Sequence, residues 1–128
     1  MKKFVLTLTL ITLPTLACAK DVLKPPYEIK EIKTGIEEQH QDKPTSDICK
    51  DFTMDKKQVR DFLNKAVAIT KRQRHDEYSW LPCFVTATAL KDGQTIQVKI
   101  WAAILGQLTY PDGKTVLIAD PSKKDKPE

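Results

Sequence analysis

The clearest periodic pattern in the chain is a run in which apolar positions recur every three or four residues. The recurring positions are Val59, Phe62, Leu63, Ala66, Val67 and Thr70. This interval places the apolar side chains on one face of a helix. Thr53 is the predicted N-cap, and Asp55 brings negative charge to the first turn, where the helix dipole favours it. The pattern therefore predicts one amphipathic helix from Met54 to Lys71.

After residue 80 the hydrophobic period changes to two, which is typical of strands. Residues 83–90 alternate in a β-prone stretch. The next strand has one face carrying Ile96, Val98 and Ile100. Asp92-Gly93 and Pro111-Asp112-Gly113 are hairpin-turn signals. Gly106 interrupts the alternation and predicts a bulge or a break between strands. We therefore expect an antiparallel meander of three or four strands.

These elements define the predicted domain organisation. A helix that covers the apolar face of a meander gives an α+β domain of two layers, and we assign it to residues 48–120. Residues 20–47 are rich in Lys, Glu, Gln and Pro, and we interpret them as a polar, extended and partly disordered tether. A short edge strand around Ile29 is the alternative for that segment. Residues 121–128 form a charged tail.

Residues 1–19 have the three parts of a secretory signal peptide. Lys2 and Lys3 are positive, Phe4–Leu13 is an apolar stretch, and Ala17-Cys18-Ala19 has the small-x-small pattern of a cleavage site. The apolar stretch is far shorter than the roughly twenty residues of a spanning helix. We expect a periplasmic or secreted protein whose mature chain begins at Lys20.

Cys18 offers an alternative processing route. Bacterial lipoproteins are cleaved immediately before a cysteine that becomes lipidated, and Leu16-Ala17-Cys18 partly matches their signal. The leucine of that signal usually stands three residues before the cysteine, where this chain has Thr15. The alternative is therefore an outer-membrane lipoprotein, with Cys18 as the lipidation site and the lipid as its membrane contact.

Either route leaves Cys49 and Cys83 as the free thiols, an even pair in an oxidising compartment. Thirty-four positions separate them, unlike the C-x-x-C spacing of redox enzymes or zinc sites. Only about seventy residues remain to form a core, a size at which a covalent cross-link is common. We predict a structural disulfide, with two independent thiols as the alternative.

The charge distribution argues against a nucleic-acid partner. The formal net charge is +4, and removal of Lys2 and Lys3 with the signal peptide lowers it to +2. A nucleic-acid interface requires a strongly basic face. The densest basic run is residues 71–74, and Asp76 and Glu77 follow it closely. We interpret the run as a solvated helix end, where cations complement the helix dipole.

His75 is the residue closest to a catalytic pattern, because Asp76 and Glu77 follow it. A Cys–His pair needs a free thiolate, which the predicted disulfide removes from Cys83. We therefore interpret this run as a polar loop between the helix and the first strand. The other histidine, His40, lies in the polar segment, and no acidic cluster supports a metal site. We predict no catalytic residue, no metal and no cofactor.

Three aromatic residues form the predicted binding surface. Tyr78 and Trp80 lie close to Cys83 in sequence, and we interpret them as aromatic packing against the disulfide, with an exposed binding patch as the alternative. Tryptophan and tyrosine are enriched at interface hot spots. Trp101 alternates out of phase with the inward residues of its strand. We expect it on the sheet face opposite the helix.

The cysteine and aromatic spacing supports a resemblance. The pattern is Cys49-x-x-Phe52, Val59-x-x-Phe62-x-x-x-Ala66 and His75-x-x-Tyr78-x-Trp80-x-Pro82-Cys83. Over residues 49–118 the chain resembles a group of small exported bacterial proteins of unknown function. The resemblance implies a disulfide-bonded α+β fold and no activity or catalytic residue.

These observations favour a non-enzymatic binding protein of the bacterial envelope, such as an inhibitor or immunity-type factor. Its expected partner is another envelope protein. The alternative is a structural or accessory subunit of an envelope assembly, with residues 20–47 as its tether. An enzyme is the third hypothesis.

Overall fold

The computed structural model describes residues 22–37 and 43–125, so the predicted signal peptide, Cys18 and His40 lie outside the described residues. Six strands, three helices and a 3-10 turn are described. In chain order they are β1 (Glu28–Ile36), α1 (Lys43–Cys49), α2 (Lys56–Lys65), β2 (Val67–Ala68), α3 (Lys71–Glu77), β3 (Cys83–Lys91), β4 (Gln94–Trp101), β5 (Leu105–Thr109), β6 (Thr115–Ala119) and the 3-10 turn Pro121–Lys123.

The strands form one antiparallel sheet in the order β1-β3-β4-β5-β6-β2. The coarse α+β prediction is confirmed, although the helices are short and the sheet dominates. Three to four strands was an underestimate, because β1 and β2 add one strand at each edge. Asp92 and Gly93 have positive φ angles of 52° and 78°, which matches the twisted two-residue turn of a hairpin.

The prediction of one helix from residue 54 to residue 71 is wrong. The N-cap of α2 is Asp55 rather than Thr53, and its carboxylate accepts a hydrogen bond from the backbone N–H of Gln58. Ala66 is extended, with φ −67° and ψ 147°, and ends the helix. The next two residues pair with β6 as β2. Sheet pairing therefore overrides the apolar period in this stretch.

The main core lies between α2 and one face of the sheet. Val59, Phe62 and Leu63 of α2 are buried there. The sheet contributes Val85, Ala87, Ala89, Ile96, Val98, Ile100, Leu108 and Ile118. This arrangement confirms that the predicted helix covers the face carrying Ile96, Val98 and Ile100.

Gly106 does not form a bulge but pairs with Ile100 inside the β4–β5 hairpin. A Cβ atom on this glycine would lie 3.1 Å from the Phe62 ring, so the missing side chain lets α2 approach the sheet closely. The chain reverses earlier, at Ala102 and Ala103, which have positive φ angles of 53° and 60°. Alanine gives no turn signal in the sequence, and the reversal was therefore missed.

Part of the predicted tether belongs to the sheet. Residues 28–36 form β1, which pairs with β3 and confirms the edge-strand alternative. Ile29 is 1% exposed and Leu23 is 3% exposed, so both are core residues. The Tyr27 hydroxyl donates a 2.8 Å hydrogen bond to Oδ1 of Asn64, which joins this segment to α2. The ordered chain therefore starts well before residue 48.

A smaller second core lies on the opposite sheet face. It contains Tyr78, Trp101, Leu105 and Ala119 as buried residues. The connection from β2 through α3 brings Tyr78 over this end of the sheet. No helix among the described residues is long and apolar enough to span a membrane. The second core supports the site described next.

Candidate binding site at helix α3

A recess of about 360 Å³ lies beside α3, and its lining is basic and aromatic. The lining residues are Lys71, Arg74, His75, Tyr78 and Trp80. The first three are spaced i, i+3 and i+4, which places them on one face of the helix, and Tyr78 is the extended residue that follows the helix. Two of the three predicted binding residues, Tyr78 and Trp80, therefore lie in one site.

A capping box fixes the start of α3. The Thr70 hydroxyl accepts a 3.0 Å hydrogen bond from the Gln73 backbone N–H, and the Gln73 side chain accepts one from the Thr70 N–H. This reciprocal arrangement satisfies two backbone donors of the first turn. The predicted polar loop at His75 is thus wrong, because residues 71–77 form a helix of their own.

The carboxylates next to the recess have basic partners. Asp76 lies 3.5 Å from the Arg72 guanidinium and 2.9 Å from Nδ1 of His75. Glu77 lies 3.2 Å from the Lys124 ammonium. Among the described residues, the lining side chains include no carboxylate. The recess therefore presents cationic and aromatic groups to a ligand.

Trp101 lies behind the recess, on the sheet face opposite α2, where the alternation places it. Its side chain is only 8% exposed. The Arg74 guanidinium lies 5.6 Å from the centroid of its ring, and the Lys99 ammonium lies 5.0 Å from it. Both distances fall within the range of a cation–π contact. Trp101 is therefore a buried ring on which the Arg74 guanidinium packs, and it does not form an exposed patch.

Tyr78 has a mixed position in the site. It is 7% exposed and belongs to the second core while its side chain also lines the recess. Burial raises the pKa of its hydroxyl, and the Lys124 ammonium opposes this effect. Because its ring is buried, Tyr78 lines the recess and does not project from the surface.

The loop of residues 79–82 is anchored at both ends. The Ser79 hydroxyl donates to the Asp125 carboxylate at 3.2 Å, and the Asp125 N–H donates to the Glu77 carbonyl at 2.8 Å. At the other end, the Pro82 carbonyl accepts a 3.1 Å hydrogen bond from the Glu37 N–H. Trp80 lies between these anchors and is 38% exposed. Hydrogen bonds therefore hold the chain on both sides of Trp80.

The predicted disulfide between Cys49 and Cys83 is confirmed, with Cα atoms 5.4 Å apart. It joins the end of α1 to the start of β3, immediately after the anchored loop. Within the described ranges, no group of three or more His, Cys, Asp or Glu residues could hold a metal ion.

The sequence interpretation missed Lys71 and Arg74 as site residues, because it placed them at the solvated end of a longer helix. A local signal was available: Thr70-x-x-Gln73 has the form of a capping box. No local signal points to Glu37, which reaches Trp101 from 64 positions away.

No family model, no curated protein and no solved structure matches this chain.

Proposed function

We propose that this chain is an exported, non-enzymatic binding protein of the bacterial envelope, and that its α3 recess binds an acidic segment of another envelope protein. The observation that carries the proposal is the position of Lys71, Arg74 and His75 on one helix face, beside the aromatic rings of Tyr78 and Trp80. Arginine and aromatic residues are enriched among the side chains that dominate binding energy.

The anchored loop supports binding as the role of this site. An exposed tryptophan that is already held in position loses little conformational freedom when a partner binds. Trp80 has this property, because hydrogen bonds hold Ser79 and Pro82 on either side of it. The site is therefore suited to recognition by a preformed surface.

The leader and the cysteines support export. Residues 1–19 have the pattern of a signal peptide, and disulfides such as Cys49–Cys83 persist in oxidising compartments. The expected resemblance to small exported bacterial proteins implies the same destination. An inhibitor or immunity-type factor is the specific role that we favour. Accessory-subunit function is the alternative, and it predicts several partners rather than one.

Site-specific cross-linking in cells tests the proposal. A photoreactive amino acid at position 80 should capture one envelope protein, through a segment rich in Asp and Glu. Arg74→Glu should abolish the cross-link, because it reverses a recess charge. Arg72→Glu is the matched control, since it makes the same charge change on the same helix, outside the recess lining.

Binding of the purified partner should then weaken at least about tenfold in Arg74→Glu and change little in Arg72→Glu. Equal binding by both variants, or a captured segment without acidic residues, would overturn the proposal. A single partner at equal stoichiometry would favour the inhibitor role over the accessory subunit.

A further inference from the structure

Large hydrophobic side chains are exposed at four positions among the described residues: Ile48 (66%), Val67 (43%), Leu81 (41%) and Trp80 (38%). Val67 belongs to β2 at the sheet edge. The other three are close along the chain to the disulfide. Exposed apolar residues are unremarkable when scattered singly, but a group of them marks an interaction surface.

The disulfide brings two separate segments to the same place. Ile48 immediately precedes Cys49, and Leu81 stands two residues before Cys83. With the bonded cysteines 5.4 Å apart between Cα atoms, chain geometry keeps the Cα atoms of Ile48 and Leu81 within about 16 Å. The exposed apolar residues of helix α1 and the 79–82 loop therefore lie in one region of the molecule, near enough for a single bound segment to contact both.

This apolar region adjoins the basic recess through Trp80. The same side chain that lines the recess precedes Leu81 in the anchored loop. Charges near Ile48 are mixed, because Asp47, Lys50 and Asp51 are its neighbours in sequence. Beside α3, the charged lining residues that the structure describes are basic. The surface consequently has an exposed apolar residue among mixed charges towards α1, and basic residues towards α3.

Resting on the proposed function, we infer that the bound acidic segment is amphipathic. Its apolar side chains contact Ile48, Leu81 and Trp80, and its carboxylates pair with Lys71 and Arg74. An apolar centre with a charged rim is the usual anatomy of a specific protein interface. The disulfide acts on binding by holding the Ile48 part of the surface beside the Leu81 part.

Three synthetic twelve-residue peptides serve as probes: one of Leu and Glu with the apolar residues at helical spacing, one of Glu alone, and one of Leu and Lys in the first pattern. Tryptophan fluorescence of the disulfide-bonded protein reports binding, and Trp80→Phe assigns the signal. The Leu-Glu peptide should bind about tenfold more tightly than the Glu peptide. The Leu-Lys peptide should not bind.

Two substitutions test the apolar half. Ile48→Ser and Leu81→Ser should each weaken the Leu-Glu peptide about three- to tenfold while leaving the Glu peptide unaffected. Val67→Ser is the matched control, because it removes an equally exposed apolar side chain elsewhere, and it should change neither affinity. Both site residues are exposed, so the variants should fold like the parent, which circular dichroism verifies.

The outcomes separate the two proposals. The amphipathic ligand is overturned if the Leu-Glu and Glu peptides bind with equal affinity and if Ile48→Ser and Leu81→Ser leave that affinity unchanged. The acidic ligand still stands in that case if Arg74→Glu weakens binding. Binding of the Leu-Lys peptide as tightly as the Leu-Glu peptide overturns the charge assignment. Failure of both acidic peptides to bind overturns the proposed function together with the inference.

Discussion

The indole Nε1 of Trp101 donates a 2.8 Å hydrogen bond to Oε2 of Glu37, the residue that follows β1. The Lys99 ammonium lies 2.8 Å from the same oxygen. In the sheet, β3 lies between β1 and β4. The Glu37 carboxylate therefore links the end of the edge strand β1 to β4, across β3. It also fixes the ring against which Arg74 lies.

Replacing Glu37 by alanine should lower the free energy of unfolding by about 1–3 kcal/mol, because the indole N–H and the Lys99 ammonium lose an acceptor. Urea denaturation measures the effect. Glu37→Gln is the control: it keeps an acceptor for the indole and removes only the charge, so it should lose less. An alanine variant that unfolds at the parent's urea concentration would contradict this role for Glu37.

The disulfide should be complete and strongly stabilising. Protein starting at Lys20 should show no free thiol in denaturant before reduction, because Cys49 is bonded to Cys83. The double Cys→Ser variant should lose about 2–5 kcal/mol of stability. The reduced parent should match that variant in urea denaturation. Two titratable thiols, or a variant as stable as the oxidised parent, would show that the cross-link is not structural.

The resistant core should include Leu23 and β1 rather than begin near Ile48. Limited proteolysis of protein starting at Lys20, followed by mass spectrometry, locates the boundary. Leu23→Ala should cost about 2–5 kcal/mol, since Leu23 is 3% exposed. The adjacent Lys24→Ala is the control, because the Lys24 side chain is exposed. Early removal of β1 by the protease would refute this boundary.

Processing distinguishes the two export routes. We expect the intact mass of the exported protein to correspond to a chain beginning at Lys20, because Ala17-Cys18-Ala19 has the small-x-small pattern. Replacing Cys18 by serine should leave that mass unchanged. A diacylglyceryl mass on Cys18 would instead make the protein a lipoprotein.

Stability should decline at alkaline pH. Burial raises the pKa of both Tyr27 and Tyr78 above the ordinary value of 10.0. The two hydroxyl groups therefore bind their protons more tightly in the folded protein than in the unfolded chain. Their contribution to the free energy of unfolding is complete below about pH 10 and is lost as pH rises through the pKa values of the folded state. Urea denaturation between pH 9 and 11 should show a weaker decline in the Tyr27→Phe/Tyr78→Phe variant. An identical slope in parent and variant would exclude this contribution.

The sequence alone determined features that depend on neighbouring residues. Alternation predicted the inward face of β4, and Asp92-Gly93 predicted a hairpin because few residue pairs accept two positive φ angles. Counting cysteines after cleavage predicted the disulfide, since Cys49 and Cys83 were the remaining pair. Each inference used a local rule, or a cysteine count that allows only one pairing.

Tertiary structure decided where the apolar period of α2 stops, because Val67 and Ala68 gain more by pairing with β6 than by extending the helix. It also placed β1 in the sheet, although β1 lies in a polar segment whose deeply buried residues, among those that the structure describes, are Ile29 and Leu23. The site depends on the same kind of contact. Glu37 contacts Trp101 although 64 positions separate them in the sequence, and Arg74 contacts Trp101 although 27 positions separate them. Such long-range contacts depend on the path of the whole chain through the sheet, so no pattern within one segment predicts them.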